Sequence, residues 1–149
     1  MPLEWSLRPA TGDDAGWLAE LKAEAMRPDL ERLGYWDEDW AKGRFLETFV
    51  PANTSVILVD GAAAGCVAVR PEPDAYWLEH FYLYAWAQGQ GLGGQVLAYV
   101  LSEPTEPRPF RLAIDRGSAV QRLYERHGFR HVWDDANGVD QIFQRPAGG

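Results

Sequence analysis

The sequence has 149 residues, enough for one domain with a sizeable hydrophobic core. Its net charge of −8 argues against nucleic-acid partners, and no apolar run reaches the roughly 20 residues that cross a membrane. Cys66 is the only cysteine, so an intramolecular disulfide is excluded. The first residues lack a basic segment followed by an apolar core, and we therefore expect no signal peptide and a cytoplasmic location.

The N-terminal part of the sequence predicts a short strand at residues 6–8, followed by a helix. Residues 11–14 have the spacing of a capping box, with aspartate in place of glutamate, and they begin the helix. Pro28 lacks the N–H that a helix interior needs, so we expect the helix to end at the preceding residue. A further turn over residues 29–33 would be closed by Gly34.

A second helix and a β-hairpin are predicted next. Asp37 caps the helix, which runs to about residue 49. Residues 54–59 are β-branched and apolar and predict a strand. The dipeptide Asp-Gly at residues 60–61 is a hairpin turn, and residues 64–69 return as the partner strand.

The second half of the sequence alternates strands and helices, separated by glycines and prolines. The predicted elements are a strand (residues 76–84), a glycine-rich loop (88–94), a helix (95 to about 102), a strand (110–115), a helix (118–127) and a hairpin (129–144). Ser118 is the predicted cap of the last helix, and Gly128 ends it. The complete order is therefore β-α-α-β-β-β-α-β-α-β-β.

The glycine-rich loop fits two phosphate-binding patterns, besides being a possible turn without a ligand. Gly89, Gly91 and Gly94 spell G-x-G-x-x-G, whereas Gln88, Gly91 and Gly93 spell [QR]-x-x-G-x-[GA]. Glycines expose backbone N–H groups, and the start of the following helix adds a positive dipole end, so this segment suits a phosphate. A dinucleotide fold places its glycines in the first βα turn, but this loop follows a hairpin past the middle of the chain, which argues against a nicotinamide cofactor.

The element order and two motifs resemble the GNAT superfamily of acyl-CoA-dependent N-acetyltransferases. Residues 88–93 resemble the acyl-CoA loop of that family at every defined position. Residues 122–129 resemble its L-Y-x-x-x-G-F segment. The segment Ala-Trp-Ala at residues 85–87 replaces a proline that is frequent in the family, and Gly-Ser at residues 117–118 replaces an asparagine, so the shapes of these two loops differ from the pattern.

The resemblance implies an α+β fold in a single domain over residues 1–149. The implied sheet is mixed and mostly antiparallel, has six to seven strands that splay between the fourth and the fifth, and is flanked by about four helices. Acetyl-CoA is the implied co-substrate, with its pantetheine along the fourth strand and its pyrophosphate on the loop. The implied cofactor-binding residues are Phe81, Tyr82, Leu83, Gln88, Gly89, Gln90, Gly91, Leu92, Gly93 and Gly94.

The implied chemistry is direct attack of an acceptor amine on the thioester in a ternary complex. Tyr124 is the candidate acid for the departing thiolate, because a phenol keeps its proton at neutral pH; the alternative is an aromatic ring packed on the sheet. Glu79 and His80 are the candidate bases, and their side chains are expected on opposite faces of the strand. The family's frequent use of a glutamate on this strand favours Glu79, and water is a further alternative.

Three tryptophans are candidate substrate-binding residues, because the family's acceptor pocket is walled by its first two helices and last hairpin: Trp36, Trp40 and Trp133. Aromatic rings suit an ammonium group. We expect a small-molecule amine as the acceptor; the alternatives are a non-catalytic acyl-CoA sensor and an enzyme that acetylates protein N-termini or lysines. Cys66, His127 and His131 lack metal-ligand spacing, so we predict no metal. The protein is expected to be a monomer or a homodimer.

Overall fold

The computed structural model describes residues 4–148; residues 1–3 and 149, the ends of the predicted domain, lie outside the described part. The described part contains seven strands and four α-helices. The strands are β1 (Trp5–Pro9), β2 (Thr54–Val59), β3 (Ala62–Pro71), β4 (Tyr76–Leu83), β5 (Phe110–Asp115), β6 (Arg130–Asp134) and β7 (Asp140–Arg145). The helices are α1 (Ala15–Leu33), α2 (Glu38–Thr48), α3 (Leu92–Ser102) and α4 (Gln121–Arg126).

The seven strands form one mixed sheet in the order β1-β2-β3-β4-β5-β7-β6. The β4–β5 pair is parallel, whereas the β1–β2, β2–β3, β5–β7 and β6–β7 pairs are antiparallel. The parallel register joins residues 76–77 with residues 110–111, and both strands continue past these pairs, β4 to Leu83 and β5 to Asp115. The predicted fold class, a mixed and mostly antiparallel sheet with four helices, is confirmed.

The chain divides into two compact units. The first contains the chain up to Ala68 together with His80–Gly93. Its core combines buried residues of α1, α2 and β3 with partly buried aromatic residues: Leu18, Ala19, Leu21, Phe45, Cys66, Trp17, Phe49, Tyr82 and Tyr84. Burial of the leucines and of Phe45 holds the helices on the strands, because fully burying a side chain of that size contributes about 1.5–3 kcal/mol.

Helix α1 continues through Pro28 to Leu33, so the predicted end before that proline is wrong. Leu30 is buried at 2% exposure, which gives the last turns a reason to remain helical. Gly34 then ends the helix with φ of +81°, and the N–H of Tyr35 donates to the Leu30 carbonyl at 2.8 Å. The buried leucine and this glycine cap offset the cost of about 3 kcal/mol that a proline imposes inside a helix.

The other predicted turns and caps of the first unit are present. The Thr11 N–H donates to Asp14 Oδ2 at 2.9 Å, in a 3-10 turn that precedes α1. The Trp40 N–H donates to Asp37 Oδ1 at 3.0 Å and caps α2. In the hairpin, Asp60 and Gly61 both have positive φ, as a two-residue turn between antiparallel strands requires.

The second unit contains Val69–Glu79 and the chain from Gly94 onward. Strand β5 pairs with β7 over all six of its residues. Helix α4 is shorter than predicted, because it begins at Gln121 and ends at Arg126. The Ser118 N–H donates to the Asp115 carbonyl at 2.9 Å, so residues 115–118 form a turn instead of the first turn of the helix. No helix within residues 4–148 is long and apolar enough to span a bilayer.

Candidate active site

The glycine loop connects the end of β4 with the start of α3. Gly89 and Gly91 have φ of +75° and +82°, a region that side-chain-bearing residues rarely adopt, so the path of this loop requires glycine. Residues 88–91 are exposed, and α3 begins directly after them. The first N–H groups of a helix have no partner within the helix, and they carry its positive dipole end. The segment therefore offers several backbone donors at one exposed place.

Two glutamine side chains fasten this loop to the backbone that precedes it. Gln88 Nε2 donates to the Leu83 carbonyl at 2.9 Å, and Gln90 Nε2 donates to the Trp86 carbonyl at 3.0 Å. A Cβ added at Gly89 would meet no atom within 4 Å, so there is open space beside the loop. A loop that is tethered, exposed and rich in N–H donors fits a pyrophosphate.

Glu79 on β4 is held by an arginine that the sequence analysis did not identify. Arg70 Nε donates to Glu79 Oε1 at 2.9 Å, and Arg70 also pairs with Glu72. The Arg70 guanidinium lies 5.6 Å from the centre of the Trp77 ring. The Glu79 side chain is 26% exposed, so its carboxylate is paired with Arg70 and still in contact with solvent. The sequence feature that could have indicated this pair is Arg70 itself, which lies near the end of β3, the strand that precedes β4.

His80, the next residue, is enclosed by α2. Its Nε2 lies 2.9 Å from Thr48 Oγ1, and its ring meets Phe45 edge-on at 4.7 Å. Thr48 Oγ1 also lies 2.8 Å from the Arg44 carbonyl, which can only accept, and a hydroxyl that donates there accepts from Nε2–H and leaves the lone pair on Nδ1. Within residues 4–148, Nδ1 is the buried side-chain polar atom without a hydrogen-bond partner.

Burial and nearby positive charge keep the His80 ring neutral. Burial, the largest cause, and the charges of Lys22 and Arg44 together lower the pKa of His80 to about 4, against a raising effect of a hydrogen bond to the Thr48 backbone. His80 also has φ of +45°, so the regular alternation that predicts opposite faces for residues 79 and 80 is interrupted at this residue.

Tyr124 is in α4 and is 7% exposed. Burial raises the pKa of its phenol, so the hydroxyl keeps its proton at neutral pH. Its ring contacts Phe129 edge-on at 5.7 Å, and the Phe129 N–H donates to the Tyr124 carbonyl at 3.1 Å. A protonated phenol suits an acid, and the ring contact suits a packing role, so both predicted roles are compatible with this environment.

The three candidate tryptophans have different surroundings. The Arg27 guanidinium lies 5.2 Å from the centre of the Trp36 ring, and that of Arg111 lies 5.4 Å from the centre of the Trp133 ring. Trp40 in α2 is 52% exposed, and Trp133 on β6 is 43% exposed. Two of the three rings therefore already contact a cation of the chain itself, which the sequence analysis did not foresee.

Cys66 has no environment for nucleophilic or metal chemistry. It is buried, and burial raises the pKa of its thiol to about 12, so the thiolate is absent at neutral pH. No group of three or more His, Cys, Asp or Glu residues that could hold a metal ion occurs in the part of the chain that the structure describes.

A surface cavity of about 510 Å³ lies at the start of α4. Its lining comes from one continuous segment and contains one cation and one anion: Gly117, Ser118, Ala119, Gln121, Arg122 and Glu125. In the sequence, this segment contains a predicted helix cap and part of a family motif, and neither feature predicts a cavity.

The fold is shared with several solved acetyltransferases. The PaiA N-acetyltransferase of Thermoplasma acidophilum, in complex with coenzyme A, is 16% identical with a TM-score of 0.74, and the match covers 96% of this chain and 99% of that one. An acetyltransferase of Thermus thermophilus is 18% identical with a TM-score of 0.74, over 97% of each chain.

A third similar structure is the N-acetylglutamate synthase of Neisseria gonorrhoeae, complexed with coenzyme A and L-arginine. It is 16% identical with a TM-score of 0.65, and the match covers 99% of this chain but 34% of that one. A comparison with curated proteins found no match. The family model described as an acetyltransferase (GNAT) domain matches residues 50–131, more than half of the sequence. The chain therefore belongs to the GNAT acetyltransferase family.

Proposed function

We propose that the protein transfers the acetyl group of acetyl-CoA to the primary amine of a small-molecule acceptor, by direct attack within a ternary complex. The observation that carries this proposal is the exposed glycine loop, with Gly89 and Gly91 at positive φ, at the start of α3. The coenzyme A held by two of the similar structures supports it. In this proposal the two compact units act as one acetyltransferase domain over residues 1–149.

The cofactor-binding residues follow from the loop and the strand before it. The N–H groups of residues 88–94 receive the pyrophosphate, because that segment combines exposed donors with a helix start. The backbone of Phe81, Tyr82 and Leu83 pairs with the pantetheine arm, as an extended ligand adds to the edge of a strand. Acetyl-CoA supplies the thioester, whose carbon–sulfur bond breaks as the amide bond forms.

Proton transfer is assigned to three residues of the chain. Tyr124 donates a proton to the departing thiolate, which its raised pKa supports because the phenol stays protonated. Glu79 accepts the proton of the acceptor amine, directly or through water; its partly exposed carboxylate, oriented by Arg70, supports this role. His80 is the alternative base. The burial of Nδ1 and the lowered pKa make it the weaker of the two.

The acceptor is proposed to bind near Trp36, Trp40 and Trp133. The exposure of Trp40 and Trp133 supports a contact with a ligand, whereas the arginines over Trp36 and Trp133 favour packing of the chain on itself. An acceptor ammonium would compete with those arginines for the ring faces.

Calorimetry followed by a turnover screen tests the function. Acetyl-CoA is titrated into the protein, and thiol release is then measured with acetyl-CoA and a panel of amines, with acetylated products identified by mass spectrometry. Saturable acetyl-CoA binding and turnover of a small amine are expected, and saturable binding of NADH or NADPH is not. Lack of acetyl-CoA binding contradicts the proposal. Binding without turnover over the panel favours a sensor, and turnover only with peptides favours a protein-modifying enzyme.

A further inference from the structure

The strand before the glycine loop departs from regular backbone geometry at one residue. His80 lies inside β4 and has φ of +45°, which residues other than glycine rarely adopt. Such a residue persists only where its neighbours hold it in place, and such residues concentrate at functional sites. We refer to residues 80–82 as the His80 kink.

Two consecutive residues of β3 contact the His80 kink. Cys66 Sγ donates to the His80 carbonyl at 2.9 Å, and the Tyr82 backbone N–H bonds to the same sulfur. Gly65 lies so close to β4 that an added Cβ would be 2.0 Å from the Tyr82 carbonyl oxygen. Any side chain at position 65 would therefore displace the β4 backbone, and the thiol next to it uses both its donor and its acceptor on the kink.

Backbone polar groups at the end of β4 and directly after it are also engaged. The Tyr84 N–H donates to the Ala64 carbonyl at 2.9 Å, and the Leu83 carbonyl accepts from Gln88 Nε2 at 2.9 Å. Cys66 engages the His80 carbonyl and the Tyr82 N–H, which lie on either side of Phe81, so the sulfur holds the backbone that flanks this residue.

We propose that Gly65 and Cys66 are positioning residues for the co-substrate. They hold the His80 kink, and the kink presents the N–H and C=O of Phe81 to an amide of the pantetheine arm. This role rests on the proposed function, because it requires acetyl-CoA to bind along β4. A backbone pair that is already oriented binds an extended amide more tightly, since little ordering is left to occur on binding.

Four variants test the proposal. Gly65→Ala adds the obstructing Cβ, Cys66→Ala removes both sulfur contacts, and Cys66→Ser keeps a donor and an acceptor. Gly16→Ala is the matched control, because an added Cβ in that part of α1 meets no atom within 4 Å. The Kd of acetyl-CoA is measured by calorimetry. The φ angle of His80 is measured by NMR, from its three-bond HN–Hα coupling constant and the intensity of its intraresidue HN–Hα NOE.

We expect Gly65→Ala and Cys66→Ala to weaken acetyl-CoA binding by about tenfold or more, the size of one lost hydrogen bond, and to change the His80 angle. Cys66→Ser should stay closer to the wild type in both measurements, and Gly16→Ala should match it. A folded Cys66→Ala variant with wild-type affinity overturns the positioning role, as does lost affinity with an unchanged His80 angle.

Two further outcomes keep the test decisive. If Gly65→Ala does not fold, the comparison of Cys66→Ala with Cys66→Ser decides the proposal by the same criteria. If the wild-type protein itself does not bind acetyl-CoA, the proposed function is overturned together with this role. The wild-type titration therefore distinguishes a failure of the function from a failure of the positioning role.

Discussion

Arg70 Nε and Glu79 Oε1 are 2.9 Å apart, so the candidate base of the strand is also one half of an ion pair. Both side chains are partly exposed, at 38% and 26%, and such pairs contribute only about 0–1 kcal/mol to folding. The pair therefore matters less for stability than for the orientation of the Glu79 carboxylate, which Arg70 Nε holds in place.

Glu79→Gln tests whether that carboxylate takes the proton of the acceptor. We expect kcat to fall by about 10²-fold or more, the usual cost of losing a general base, with acetyl-CoA affinity little changed. His80→Gln serves as the comparison, and its kcat should fall less. A larger loss in His80→Gln than in Glu79→Gln would assign the base to the histidine. Small losses in both would leave water as the acceptor.

Tyr124→Phe removes the phenolic proton and keeps the ring contact with Phe129. We expect kcat to fall by about 10²–10⁴-fold, because the thiolate then departs without its acid. Acetyl-CoA affinity should change little, since one neutral hydrogen bond contributes roughly 0.5–1.5 kcal/mol. The measurements are thiol-release kinetics with an accepted amine and calorimetry. If the variant keeps more than half of the wild-type kcat while chemistry is rate-limiting, Tyr124 has a packing role only.

Gly91→Glu tests the loop as the pyrophosphate site. Gly91 has φ of +82°, so any side chain strains the loop, and a glutamate also adds negative charge beside the phosphates. We expect the variant to lose saturable acetyl-CoA binding in calorimetry while its circular dichroism stays that of a folded protein. Gly91→Ala is the control, because it introduces the strain without the charge and should retain more affinity. Unchanged affinity in a folded Gly91→Glu variant would remove the loop from the cofactor site.

The lowered pKa of His80 makes stability depend on pH. The unfolded ring has a pKa of about 6.5, whereas the folded ring has one of about 4, so the unfolded state binds more protons between these values. The titration of His80 therefore does not affect the free energy of unfolding above pH 6.5. As the pH falls from 6.5 toward 4, it lowers that free energy by up to about 3 kcal/mol.

Denaturant titrations of the wild type and His80→Gln, from pH 7.5 down to pH 4.5, measure this effect. We expect the stability difference between them to shift in favour of the glutamine variant as the pH falls. The acid-sensitive pair of Arg8 and Asp14 is present in both proteins, so its contribution cancels in the comparison. A difference that stays constant over this range would show that His80 titrates like an exposed histidine.

The order of the elements could be predicted from the sequence because local chemistry determines it. The Asp60-Gly61 turn, the Asp37 cap and the glycine that ends α1 each act within a few residues, and the structure has all three. The glycine loop was recognisable for the same reason, since positive φ at Gly89 and Gly91 requires glycine whatever the rest of the fold does.

The tertiary structure decided what depends on residues far apart in the sequence. Helix α1 passes Pro28 because burial of Leu30 and the cap at Gly34 outweigh a local rule. Glu79 is paired because β3 brings Arg70 beside it, and no spacing rule specifies that contact.

The kink at His80 has the same kind of origin. A histidine in a strand pattern gives no sign of a positive φ; in the structure, β3 places a thiol and a residue without a side chain against β4 at this point. Motifs and turns were therefore readable from the sequence by itself. The orientation and the charge state of the surrounding groups could be determined only from the tertiary structure, because both depend on contacts between residues that are distant in the sequence.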